Sequence, residues 1–148
     1  MSIAYVDTSA LVAIAFDEPH GSDLRERLEG FSRRLSSSLL EAELRAAFAR
    51  EQREFEADAL SGIDWILPDR PLAAELERTL AAGYLRGADL WHVATALFVA
   101  LSPAEISFMT LDGRQRDVAS ALGFQVGTDW TGVAPSDQSA PAKRKPNT

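Results

Sequence analysis

The chain contains no cysteine, which excludes disulfide frameworks, thiolate metal sites and cysteine nucleophiles together and fits a reducing cytoplasm. Any metal ion bound here must take oxygen or imidazole ligands. Lysine is absent before Lys143, so every basic residue of the body is an arginine. No Gly-x-Gly-x-x-Gly turn or Gly-Lys-Ser/Thr loop occurs, which leaves dinucleotide and nucleoside-triphosphate cradles without support. Long apolar runs are also missing. The longest, Leu90 to Leu101, carries His92 and falls well short of the roughly twenty residues that span a bilayer. The amino terminus lacks a basic leader and has Asp7 within its apolar run, so neither a membrane span nor a secretory signal is expected, and the expected location is cytoplasmic.

What is present fits one domain, since 148 residues suffice for a single substantial core. All 22 acidic residues lie before residue 138 and face only 12 basic ones before Lys143, a net of −10. A field of that sign repels nucleic acid at long range, so a nucleic-acid substrate requires local arginines and a bound cation. Ile3 to Val6 is a short apolar run suited to a strand buried on both faces. Ser9 to Phe16 and Ser22 to Glu29 read as helices around a Glu18 to Gly21 turn, and Arg34 to Ser37 is a weak strand. Leu40, Leu44, Ala47 and Phe48 give Leu39 to Arg53 one buried helical stripe, with Glu41 and Glu43 flanking it on opposite sides. Phe55 to Leu60 reads as a short helix, Ile63 to Leu67 as a strand, and Pro71 to Ala82 as a helix that Gly83 stops.

Gly87 to Ala100 is apolar nearly all round, as a helix covered by its own domain must be. Asp89 shares a face with Val93, Ala96 and Ala100. Ile106 to Leu111 reads as a strand, Gln115 to Leu122 as a helix and Phe124 to Gly127 as a last edge strand. Strands alternating with helices imply right-handed crossovers and a parallel sheet covered on both faces, an α/β fold built as a three-layer α/β/α sandwich. The domain is expected over residues 1–130, with 131–148 a disordered tail poor in large apolar groups.

Four carboxylates stand beside apolar segments where solvated acids are not expected: Asp7, Glu43, Asp89 and Asp112. Asp7 and Asp112 follow strands, and open α/β sheets bind ligands at the carboxyl ends of their strands. Singly, each has an ordinary explanation: Asp7 or Asp112 as a helix cap, Asp89 at a helix start, Glu43 in solvent. Jointly, buried acids facing one another need protons, basic partners or a cation. Oxygen-only ligands favour Mg²⁺ or Mn²⁺, with phosphoryl chemistry as the leading class. Haloacid dehalogenase phosphatases and response-regulator receivers also use strand-end aspartates, but they pair them with a lysine that this body lacks.

The segments Tyr-Val-Asp-Thr-Ser-Ala-Leu-Val around Asp7, Leu-Glu-Ala-Glu-Leu-Arg-Ala around Glu43, Leu-Arg-Gly-Ala-Asp-Leu-Trp-His-Val-Ala-Thr-Ala-Leu around Asp89 and Met-Thr-Leu-Asp around Asp112 together resemble the PIN-domain ribonucleases. Within these they resemble the VapC-type toxins of bacterial toxin–antitoxin pairs, over roughly residues 3 to 130. The resemblance implies that Asp7 and Asp89 bind Mg²⁺ directly, that Glu43 rather than Glu41 joins Asp112 in completing the pocket, and that Ser9 supports it by hydrogen bonding. It implies an Mg²⁺-dependent endoribonuclease, an RNA substrate, a small antitoxin partner, and a homodimer or toxin–antitoxin hetero-oligomer.

Of the other candidates, Asp117 reads as an exposed helix acid, His92 as a packed, hydrogen-bonded residue and His20 as an exposed turn residue. Trp65, Trp91 and Trp130 read as packing groups. Arg25, Arg27, Arg33, Arg34, Arg45, Arg50 and Arg53 are candidates for steering a phosphate backbone, or for ion pairs on solvated faces. The acidic Glu51, Glu54, Glu56 and Asp58 read as solvated surface. The rival class is a non-catalytic PIN-like module whose acids dock a basic peptide or hold a structural ion.

Overall fold

Four short strands, β1 (Ile3–Val6), β2 (Arg33–Ser37), β3 (Ile63–Ile66) and β4 (Ile106–Met109), pair in parallel in the order β3-β2-β1-β4 in a computed structural model that describes residues 2–127. The helices are α1 (Thr8–Ala15), α2 (Gly21–Glu29), α3 (Leu39–Arg50), α4 (Ala73–Ala82), α5 (Gly87–Val99) and α6 (Gly113–Ala121). Trp130 and the tail lie outside the described residues.

Alternation along β1 divides the core. Ala4 and Val6 face one way and pack with Ala10, Leu11 and Ala13 of α1, Leu24 and Leu28 of α2, and Leu40, Leu44 and Phe48 of α3. Tyr5 faces the other way and packs with Val93, Ala96 and Leu97 of α5 and Val118 and Ala119 of α6. β1 therefore buries both faces, which is why its run reads as continuously apolar. Tyr5 stacks on Phe108 of β4 with ring centroids 5.1 Å apart, and the two rings anchor the second layer. The result is the expected three-layer α/β/α sandwich. Among the described residues no helix is long and apolar enough to cross a membrane.

The topology fixes where a ligand can enter. After β1 the chain passes into α1 on one face of the sheet, and after β4 into α6 on the other. Because β1 and β4 are neighbours, the connections leaving their carboxyl ends diverge and leave a crevice, the switch point at which doubly wound sheets bind ligands.

Several boundaries differ from the sequence expectations for local reasons. The helix expected from Gln115 starts at Gly113, because Asp112 accepts the Gln115 backbone N–H and caps it. The helix expected to reach Arg53 stops at Arg50, where Gln52 adopts φ 52° and the Arg53 N–H returns to the Phe48 carbonyl. The expected Phe55 to Leu60 helix is a 3-10 turn over Ala57–Leu60. The expected edge strand Phe124 to Gly127 shrinks to one bridge between Gln125 and Ser107, because the Phe124 N–H is spent on the Ala119 carbonyl and Gly127 turns at φ 56°. Trp65, expected to pack, is 37% exposed: it lies on the edge strand β3, opposite Ser36.

One close approach holds the α1–α2 corner. A Cβ on Gly21 would lie 2.4 Å from the Ala13 carbonyl oxygen, so only glycine lets the start of α2 rest on α1. Gly21→Ala is expected to destabilise the fold by about 1–3 kcal/mol, the usual range for overpacking against an unyielding neighbour. Urea unfolding of the two proteins measures it, and equal midpoints would show that the helices part at little cost.

Candidate active site

The carboxylate of Asp7, 1% exposed, lies at the mouth of the crevice. The Asp7 N–H extends the β1–β4 ladder by donating to the Met109 carbonyl at 3.1 Å, so the residue is fixed by the sheet before its side chain makes any contact. That side chain then accepts from four donors. The Ala10 N–H donates to Oδ1 at 3.1 Å, which makes Asp7 the N-cap of α1. Ser9 Oγ donates at 2.8 Å, Thr110 Oγ1 at 2.6 Å and Gln115 Nε2 at 3.0 Å. Ser9 also accepts the Leu111 N–H at 2.9 Å and so ties the loop after β4 to α1. Burial pushes the Asp7 pKa up, and the hydrogen bonds from Thr110, Ser9 and Ala10 only partly offset it.

Asp89 comes to the same place from the opposite layer, in the first turn of α5. Its Oδ1 accepts from the Gln115 Nε2 that also reaches Asp7, at 2.9 Å. The two carboxylate oxygens are therefore no further apart than two hydrogen bonds end to end. The Asp89 pKa is raised, first by burial, then by the nearby charge of Asp112, with Glu43 adding to it. Asp112 caps α6 through Oδ1. The simple explanation for Asp7 and Asp112, helix capping, is thus true of both, and both still converge on the crevice.

Glu43 enters from α3. Its Oε1 accepts from Thr8 Oγ1 at 2.7 Å and pairs with His92 Nε2 at 2.9 Å. Burial alone would raise its pKa, but the hydrogen bonds of His92 and Thr8 outweigh that and hold it low. Glu41, two residues earlier, pairs instead with Arg45 in solvent. His92 is buried, as expected, but its partners attach it to the site. The Ser37 N–H donates to Tyr5 Oη at 3.2 Å, and this leaves the hydroxyl hydrogen of Tyr5 for His92 Nδ1 at 2.7 Å. The hydrogen on His92 then sits on Nε2 and points at Glu43. Burial drives the Tyr5 phenol far above its ordinary pKa, which keeps that hydrogen in place.

The remaining sequence candidates divide cleanly. Asp117 is exposed. His20 is a half-buried turn residue at φ 78°, and Trp91 donates its indole N–H to Ser37 Oγ at 3.0 Å. Arg33, Arg45, Arg50 and Arg53 are held in ion pairs with Asp64, Glu41, Glu51 and Glu56. Sequence reasoning missed Gln115, 2% exposed, and Thr110, 1% exposed, which bind Asp7 directly. Polar residues flanking the strand-end acid Asp112, two before it and three after it, were the available signal.

The donor set suits a hard divalent cation: carboxylate oxygens, with hydroxyls and an amide around them and no sulfur. The buried Gln115 Oε1 has no hydrogen-bond partner, so one acceptor beside Asp7 and Asp89 is left over. Among the described residues no three acidic or imidazole groups stand close enough together to hold one ion. The fit therefore rests on the Asp7 and Asp89 pair.

Comparison with known proteins identifies the family. A family model described as PIN domain matches residues 4–121. Ribonuclease VapC46 of Mycobacterium tuberculosis (strain ATCC 25618 / H37Rv) is 32% identical over 139 residues, covering 92% of this chain and 100% of that protein. No solved structure matches the chain significantly.

Raised folded-state pKa values set the sign of a pH effect. Asp89 contributes stability fully below the ordinary carboxylate pKa, about 4, and that contribution is lost as the pH rises through its raised folded value. Asp89→Asn keeps an acceptor for Gln115 and cannot ionise. In metal-free buffer it is expected to melt at or above the wild-type temperature at neutral pH, with the gap closing as the pH falls toward about 4. Thermal melts across that range check this, and a large loss of stability at pH 7 would mean that Asp89 is there for structure.

Proposed function

Because the chain belongs to the PIN-domain family, among its VapC-type ribonuclease toxins, we propose that it is an endoribonuclease that hydrolyses RNA phosphodiester bonds with Mg²⁺, or Mn²⁺ in its place, as the toxin of a toxin–antitoxin pair. The observation that carries this reading is that Asp7 and Asp89, delivered from opposite layers, share one amide donor at the crevice between β1 and β4. Asp7 and Asp89 are the residues that hold the ion, with Glu43 and Asp112 completing the acidic pocket. When bound, the ion supplies Lewis acidity that lowers the pKa of a water and neutralises charge on the scissile phosphate.

The chain's own residues do the rest. His92 and Thr8 hold Glu43 ionised through Oε1, which leaves Oε2 to accept a hydrogen bond from the attacking water and orient it. Both ring nitrogens of His92 are engaged, so His92 positions Glu43 and is not the proton donor to the leaving group. Ser9 and Thr110 keep the Asp7 oxygens in place through 2.8 and 2.6 Å bonds. A single-stranded or looped RNA presents the flexible backbone that such an open edge accommodates. The partner is a small antitoxin that covers the acidic pocket with a basic side chain, in a homodimer or toxin–antitoxin hetero-oligomer.

Incubation with defined single-stranded RNAs tests the reading. MgCl₂ is expected to support internal cleavage, EDTA to stop it, Glu43→Gln to lower turnover by ~100-fold or more, the lower end of what a positioned proton-transfer group contributes, and Asp7→Asn, which removes an ion-holding carboxylate, to lower it at least as much. RNA or peptide binding with no magnesium-dependent product would instead identify a non-catalytic PIN-like module.

A further inference from the structure

Gln115 touches the carboxylates of both Asp7 and Asp89, and its side-chain oxygen is left without a partner. Its Nε2 spends both hydrogens, one on Asp7 Oδ2 at 3.0 Å and one on Asp89 Oδ1 at 2.9 Å. Its backbone N–H is fixed by the Asp112 cap at 2.9 Å, so the side chain starts from a rigid first helical turn. The residue is 2% exposed, and Oε1 is buried without a partner. An amide that satisfies its donors completely and strands its acceptor has been oriented by the two negative charges it faces. Those are the charges that a cation would cancel.

We infer that Gln115 is a two-state amide clasp: Nε2 takes the cation's place between Asp7 and Asp89 in the metal-free protein, and Oε1 turns toward the cation, or toward a water it holds, when Mg²⁺ binds. This rests on the reading that Asp7 and Asp89 hold the ion. Rotation about the terminal torsion of glutamine, a broad and nearly two-fold coordinate, exchanges the two groups, and the side chain draws back far enough to admit the ion. Each state answers the two negative charges, and in the ion-bound state the contact of Oε1 with the ion offsets the carboxylate bonds that the amide hydrogens give up. The amide hydrogens face carboxylates when no ion is present, and the stranded oxygen gains a partner when one arrives. Gln115 is thereby a neutral oxygen contact for the ion, additional to the four acids, and the element that keeps Asp7 and Asp89 at a fixed separation before the ion is taken up.

Magnesium titration without RNA tests this on the full chain. In the wild-type protein the two side-chain amide protons of Gln115, identified by their loss in Gln115→Met, are expected to move on addition of MgCl₂ from hydrogen-bonded toward free-amide NMR shifts, together with the backbone amides of Ala10 and Asp89. By calorimetry Gln115→Met, similar in length but without nitrogen or oxygen, is expected to bind Mg²⁺ about 10-fold more weakly, in the range for residues that support a metal's ligands. Gln115→Glu, which restores an oxygen, is expected to bind it at least as tightly as wild type.

Unchanged or tighter binding by Gln115→Met would overturn the clasp and leave Gln115 as a passive brace. So would Gln115 amide protons that stay fixed while the Ala10 and Asp89 backbone amides respond, a result that leaves ion binding intact. No response anywhere to MgCl₂ would remove the metal reading and the clasp together. If Gln115→Met does not fold, Gln115→Glu, which also lacks the side-chain NH₂, identifies the same protons, and the wild-type spectra still decide the matter.

Discussion

The carboxylate of Asp7 is the constraint around which the rest of the domain is arranged. A buried ionised carboxylate is unfavourable by several kcal/mol unless it is compensated, and each hydrogen bond to a charged group returns about 1.5–3 kcal/mol. Asp7 collects four donors, from Ser9, Ala10, Thr110 and Gln115. These are not interchangeable surface groups. They come from the first turn of α1, the residue after β4 and the first turn of α6, so satisfying one side chain fixes the relative positions of three elements that belong to different layers. Burial nevertheless leaves its pKa raised, so the compensation is incomplete.

A second tie crosses the sheet at the same edge. Glu43 lies on α3, in the layer of α1 and α2, whereas His92 lies on α5, in the other layer. They meet at 2.9 Å only because the crevice beyond β1 is open. From there the hydrogen bonds run inward through Tyr5 to the Ser37 backbone at the end of β2. Each member is buried or half-buried and each donor has one acceptor, which in a low-dielectric interior stiffens the whole chain of bonds. The orientation of Glu43 is therefore set by the sheet itself.

Much of this was legible in the sequence. Asp7 and Asp112 close apolar strand runs, and Asp89 sits on the buried line of a helix that is apolar nearly all round, so periodicity alone placed three acids at one sheet edge. It could not separate Glu41 from Glu43, which flank the same stripe. The distinction is a long-range contact, Arg45 for one and His92 with Thr8 for the other. Gln115 was invisible for a related reason. Placing the helix start at Gln115 made it a solvated first residue, whereas the Asp112 cap starts α6 at Gly113 and turns Gln115 inward. The edge strand after Phe124 failed because alternation says nothing about whether a helix terminus has already claimed the N–H that the ladder needs.

The site also explains how so acidic a body tolerates its own pocket. The amino-terminal ends of α1, α5 and α6 all meet there, carrying Asp7 as a cap, Asp89 in a first turn and Asp112 as a cap. Each helix start presents roughly half a positive charge, and carboxylates at such ends are favoured where elsewhere they would only repel. The offset is partial, since Asp89 still feels Asp112 and Glu43. In the metal-dependent ribonuclease proposed above, protons and a divalent cation would compete for the same oxygens of Asp7 and Asp89, so that uptake of the cation would release any proton those carboxylates hold. The electrostatic strain in this pocket would give the proposed cation its advantage, by relieving a repulsion that the helix ends and hydrogen-bond donors have contained without removing.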